Sequence, residues 1–139
     1  MSLTADKVFF DALKGDDELM DAIGGRLYST AIPLPDDDAD NVPVPYVIVT
    51  FDGLSNDAQS KDDYEGDYDL VNIGVEIAAA DRASLGALAG MVRRSVHDYI
   101  AGEEDEVILD YSFTAQGVNF DSLKPCFWQK LVYQCDTYI

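Results

Sequence analysis

The sequence predicts an α+β fold: an antiparallel or mixed sheet of about four to five strands, one long amphipathic helix packed on it, and short N-terminal helices. Three observations carry this. Val71, Ile73, Val75 and Ile77 alternate with polar or small residues, the period-two pattern of a strand with one buried face. At Asp81 the spacing switches to steps of three and four residues, the pattern of a helix with one buried side. The elements then run helix, helix, strand, strand, helix, strand, strand, which is not the regular alternation of a doubly wound parallel fold.

Thr4 is positioned to cap a first helix, in which Val8, Phe9, Ala12 and Leu13 form an apolar stripe ending at Gly15. Asp16 caps a shorter second helix with Leu19, Met20 and Ile23 inward and Gly24-Gly25 as its stop. Leu27 and Tyr28 begin an extended piece. Residues 29–45 hold four prolines and four aspartates and read as a long exposed loop. Tyr46–Phe51 is a dense β-branched and aromatic run, hence a strand. Residues 52–66 are polar and acidic, a second loop. The strand Tyr68–Ala78 leads to Asp81, which caps the main helix over 82–100. There Leu85, Leu88, Ala89, Val92, Val96, Tyr99 and Ile100 share one side. Gly102 stops it and Glu103-Glu104-Asp105-Glu106 form an acidic turn. Val107–Phe120 and Phe127–Tyr138 are the last two strands, with Pro125 in the link.

The chain has 139 residues, 47% hydrophobic and 26% charged, values of a single globular domain spanning 1–139 rather than a disordered chain. Met1-Ser2-Leu3 is compatible with a vector remnant. No apolar run is long enough to span a bilayer, and the N-terminus lacks a basic patch followed by an apolar stretch. Cys126 and Cys135 have neither metal-ligand spacing nor partner histidines, so reduced thiols in a cytosolic setting are expected. The net charge is −18, from 27 acids and 9 scattered bases, which opposes direct grip on nucleic acid or an anionic membrane.

No catalytic motif emerges. His97 stands on the long helix beside Arg93 and Arg94, with no nucleophile motif near it, and reads as a surface histidine. Gly24-Gly25 follows a helix and lacks the phosphate-loop lysine, so a helix C-cap is the better reading. Asp36-Asp37-Asp38 with Asp40 offers hard oxygen ligands but not the spacing of an EF-hand loop. A solvated loop is the default there, at Asp62-Asp63 with Glu65, and at 103–106. No cofactor, metal or catalytic residue is expected. Eight tyrosines, six phenylalanines and Trp128 fall mostly on strands, where some are expected to serve as interface anchors.

The order of motifs adds more. Glu18-Leu19-Met20-Asp21-Ala22-Ile23-Gly24-Gly25-Arg26-Leu27-Tyr28 is followed by a proline-bearing loop and then Pro45-Tyr46-Val47-Ile48-Val49-Thr50-Phe51-Asp52-Gly53. This resembles the short tail terminator and tail completion proteins of long-tailed phages and prophages, over about residues 5–138. A short helix ending in Gly-Gly-Arg-hydrophobic-Tyr and a Pro-Tyr-led strand are the shared features. The Val71–Ile77 strand running into Ala79-Ala80-Asp81-Arg82 agrees more loosely. The loops at 34–44 and 54–66 depart from the pattern in length and acidity.

The resemblance implies a non-enzymatic virion protein that forms a homo-oligomeric ring, commonly a hexamer, at the head-proximal end of a tail. It implies as partners a tail tube protein and a head connector or head completion protein, with DNA only as passing cargo and no membrane. The implied location is the virion neck, and the host cytoplasm during assembly. Interface candidates are Arg26, Tyr28, Asp36, Asp37, Asp38, Asp62, Asp63 and Tyr64. Arg26 carries over by position without a catalytic duty, its plain reading being a surface ion pair. Two rival classes remain. An acidic DNA mimic would inhibit a nucleic-acid-binding protein, but it would need acids spaced along one elongated face. An enzyme with an Asp-rich divalent site would be expected to show histidine ligands or a Gly-rich loop.

Overall fold

The computed structural model describes residues 2–30, 43–56, 68–102 and 107–138. A short 3-10 turn (Ser2–Thr4) leads into α1 (Ala5–Lys14), which buries Ala5, Val8, Phe9, Ala12 and Leu13. Thr4 occupies the expected N-cap position, but its side chain makes no capping bond. α2 (Asp17–Ala22) is capped as expected, the Asp16 carboxylate accepting from the Leu19 amide at 3.1 Å.

Three strands and the long helix follow. β1 (Leu27–Ser29) is short, whereas β2 (Tyr46–Ser55) and β3 (Tyr68–Ala79) are long. α3 (Arg82–Ala101) is the main helix. The Asp81 carboxylate accepts from the Ser84 amide at 2.7 Å, and this bond holds its carboxyl below the ordinary range. β4 (Ile108–Ala115), β5 (Asn119–Asp121) and β6 (Cys126–Tyr138) complete the chain.

The sheet is mixed and has six strands, in the order β1-β2-β3-β6-β4, with β5 paired to the start of β6. β1 runs parallel to β2 and the other pairings are antiparallel. Sequence reading anticipated about four to five strands, and the difference lies in short elements. A three-residue strand such as β1 or β5 has too few positions to show a period. The expected Val107–Phe120 strand is two, interrupted at Gln116-Gly117-Val118. The expected loop at 52–66 begins only after Ser55, because a bulge between Phe51 and Gly53 lets β2 continue.

The core lies between one face of this sheet and the helices. Val47, Val49, Val71, Ile73, Val75, Ile77, Leu131, Tyr133 and Cys135 face Phe9, Leu13, Leu19, Ile23, Leu85, Leu88, Val92 and Val96. Each fully buried aliphatic side chain contributes roughly 1.5–3 kcal/mol of apolar burial. The Tyr133 ring packs edge-on against Phe9 at 4.9 Å, and its buried hydroxyl has no hydrogen-bond partner among the described residues. Burial pushes that phenol far above its ordinary value. Thr137, fully buried near the end of β6, donates through its hydroxyl to that of Ser2 at 2.8 Å.

Candidate functional site

The motif that carried the family resemblance is one physical joint. Gly24 and Gly25 have φ of 61° and 76°, the left-handed region that glycine tolerates best. Their amides bond back to Asp21 and Met20 carbonyls at 3.2 and 2.9 Å, closing α2 as a Schellman turn. The turn delivers Arg26 to the start of β2. There its Nε donates to the Pro45 carbonyl at 2.8 Å, and its own carbonyl accepts from the Val47 amide at 3.0 Å. Arg26 thus bonds a backbone carbonyl, and among the described residues no carboxylate pairs with it. Two residues on, the half-buried Tyr28 ring lies 6.4 Å from Tyr46.

Tyr28 and Tyr46 belong to the sheet face turned away from the helices. Strand register places Tyr46, Ala78 and Trp128 in one row of that face, with Lys124 held 5.0 Å over the Tyr46 ring. Ala78 is fully buried there although it lies outside the main core. Further along, Lys130 and Asp52 form an ion pair of 2.8 Å that crosses Gly74. A Cβ at Gly74 would collide with Lys130 Cε and would stand 2.5 Å from Asp52 Oδ2 and 2.6 Å from Thr50 Oγ1. Of the remaining interface candidates, Asp36, Asp37, Asp38, Asp62, Asp63 and Tyr64 lie outside the described residues.

A second feature was missed in the sequence. Gly90, Arg93, Arg94 and His97 of α3 face Tyr111 and Phe113 of β4 across a cleft of about 460 Å³. His97 Nδ1 and the Tyr111 hydroxyl share a hydrogen bond of 2.7 Å, and the Arg93 guanidinium sits 4.4 Å above the Phe113 ring. Burial raises the Tyr111 phenol, with Arg93 acting in the opposite direction. Phe113 and Tyr111 also flank Tyr133 at 5.2 and 5.6 Å, so the cleft floor continues into the core. Periodicity could not reveal this pairing, since the β4 partners become visible only once the strand is placed beside β6. An adjacent Arg-Arg pair in so acidic a chain was the available signal.

Chemically, this cleft offers donors and aromatic faces but no activated nucleophile. His97 is bonded to a phenol, Ser95 donates to the Ala12 carbonyl at 3.1 Å, and both cysteines are buried. Burial also raises the Cys126 thiol above its ordinary value, the opposite of activation. Two other clefts, of about 290 and 350 Å³, are lined respectively by Asp11, Asp16 and Asp98 and by Pro45, Ala79, Leu88 and Met91. Among the described residues no three acidic, histidine or cysteine side chains converge as metal ligands, and no helix is long and apolar enough to cross a membrane.

No protein-family model and no curated protein matches the chain. A solved chain from Akkermansia muciniphila, described as lacking its transmembrane region, aligns over 65% of this chain and 44% of that one. Its identity is 13% and its TM-score 0.23, which carries no argument. A chain from the virion of a native gene transfer agent particle is different. It aligns over 96% of this chain and 94% of its own length, with a TM-score of 0.64 and 14% identity. At that identity the likeness is one of fold, and it extends from end to end of both chains.

Proposed function

We propose that this chain is a non-enzymatic structural subunit of a phage-like virion, forming a ring at the head-proximal end of the tail as tail terminators do. The observation that carries the reading is the end-to-end fold likeness to a chain of a gene transfer agent virion. The Gly24-Gly25-Arg26 joint supports it, since the residues behind the family resemblance meet at Pro45 and Tyr46. In this role the chain sits in the virion neck and meets a tube protein on one side and a head connector on the other. An acidic surface suits it, because a phosphate backbone can then pass a ring's hole without sticking.

The net charge of −18 per copy makes assembly sensitive to ions. Exposed charges are screened over about 10 Å at 0.1 M salt but over about 30 Å at 0.01 M. Neighbouring copies therefore repel most in dilute buffer, and magnesium helps by bridging carboxylates. Sedimentation velocity and negative-stain microscopy across salt and magnesium provide the test. Rings with a central hole that grow more populated with salt are the expected result, six copies being the expected size. A chain that stays monomeric up to millimolar concentration, with no ring in any buffer, would defeat the reading.

A further inference from the structure

The α3–β4 cleft has no part in the Gly-Gly-Arg joint. Its two arginines are adjacent and exposed, and among the described residues neither joins an ion pair. Most other bases are engaged: Lys7 with Asp11, Lys130 with Asp52, Arg26 with the Pro45 carbonyl, Lys124 over Tyr46. In a chain with 27 acids and 9 bases, two adjacent cations that pair with no carboxylate among the described residues need a reason.

The geometry supplies one. The Arg93 guanidinium is anchored over the Phe113 ring at 4.4 Å, and among the described residues no acceptor takes its N–H groups, which suits it to carboxylate recognition. The cleft, at about 460 Å³, is large enough for two or three side chains of a peptide segment.

We propose that this cleft receives a carboxylate-rich segment of a second copy of this chain, the run Asp36-Asp37-Asp38-Ala39-Asp40. The proposal rests on the ring reading and deepens it by naming a contact between neighbours. Charge complementarity selects the occupant. Residues 36–40 carry four carboxylates in five positions with no base, whereas the acidic stretch at 57–67 contains Lys61. The run at 103–106 is tethered at both ends to the elements that wall the cleft, α3 and β4. A nucleic acid is the weaker candidate, because its phosphates would meet the field of the whole −18 chain. A neighbour in a ring is held at high effective concentration and needs only local complementarity. Such a contact turns part of the repulsion between copies into attraction.

The test uses the full chain and two charge-reversed variants. Arg93→Glu/Arg94→Glu should self-associate at least about tenfold more weakly in sedimentation velocity, with an unchanged far-UV spectrum. Asp36→Lys/Asp37→Lys/Asp38→Lys should show the same loss, and an equimolar mixture of the two variants should associate again. Either variant associating alone at the unaltered strength overturns the proposal, as does a mixture that fails to recover. Should charge reversal unfold the chain, Arg93→Gln/Arg94→Gln takes its place in the first arm. If the unaltered chain is monomeric in every buffer, it is the ring reading that fails. The cleft is then judged with a synthetic peptide of residues 34–42. Salt-sensitive binding that is lost in Arg93→Ala/Arg94→Ala upholds carboxylate recognition, and no binding overturns it. A duplex oligonucleotide that binds more tightly than the peptide overturns it too.

Discussion

Arg26 Nε donates to the Pro45 carbonyl at 2.8 Å, a bond between residues nineteen positions apart that ties the end of α2 to the start of β2. Arg26→Ala should lower stability by about 1 kcal/mol, the usual net worth of one partly buried hydrogen bond. Gly24→Ala should cost at least as much. Its φ of 61° is strained for alanine, and its Cβ would stand 2.8 Å from the Arg26 guanidinium. Denaturant midpoints measured at unchanged slope decide both, and a midpoint unmoved in the two variants would remove the joint from the list of stabilising features.

Val92 is fully buried midway along α3. Val92→Asp should destabilise by more than about 3 kcal/mol, because an unpaired carboxylate would be placed against β3 and β6. An unchanged melting curve would show that this helix face is not the buried one.

Two glycines should respond in opposite directions. Gly74→Ala forces the Lys130–Asp52 pair off the sheet and should be destabilising by at least about 1 kcal/mol. Gly90→Ala, mid-helix and with no described atom beyond the local helix backbone within 4 Å of the new Cβ, should be stabilising by roughly 0.5–1 kcal/mol. Thermal melts of the two single variants should therefore bracket the parent, and both moving the same way would contradict the local geometry.

Tyr133→Phe should hold or raise stability below pH 10, since it deletes a buried hydroxyl that has no partner among the described residues. It should also flatten alkaline unfolding. The Tyr133 phenol is raised by burial from its ordinary 10.0, so its contribution is complete below that value. The contribution is lost as pH rises beyond it, where only the unfolded chain ionises. Stability profiles from pH 8 to 12 that superimpose for both proteins would contradict this.

Cys126 and Cys135 are buried and not joined in a disulfide, and Cys135 lies on the same helix-facing side of its strand as Leu131 and Tyr133. Both should react with a thiol reagent only after denaturation, and a double Cys→Ala variant should retain fold and assembly. Finding no free thiol in the denatured protein would mean a disulfide and would undo the expectation of reduced thiols.

What the sequence disclosed followed the length of each pattern. β3 and α3 were legible because Val71–Ile77 and Leu85–Val96 repeat their period often enough to fix both type and buried face. The Asp16 and Asp81 caps were legible because capping is local chemistry. β1 and β5 were not, since three residues that pair with a remote strand carry no period of their own. Arg26 and Tyr28 could be singled out from motif order, but not Arg26's bond to a carbonyl, which depends on how β1 lies beside β2. The cleft at Arg93 and Phe113 stayed hidden for a similar reason: nothing local links a helix residue to a strand twenty positions on.

The bond from Thr137 to Ser2 brings the two ends of the described fold side by side. The path of the chain is thus almost a closed circuit, and a short peptide bridging the gap would add little closure entropy. The layering of helices on sheet is indifferent to where such a circuit is cut. A circular permutant opened in one of the inter-strand connections should rebuild the same six-stranded sheet. Segments attached before Ser2 and after Thr137 would emerge from the same corner of the molecule.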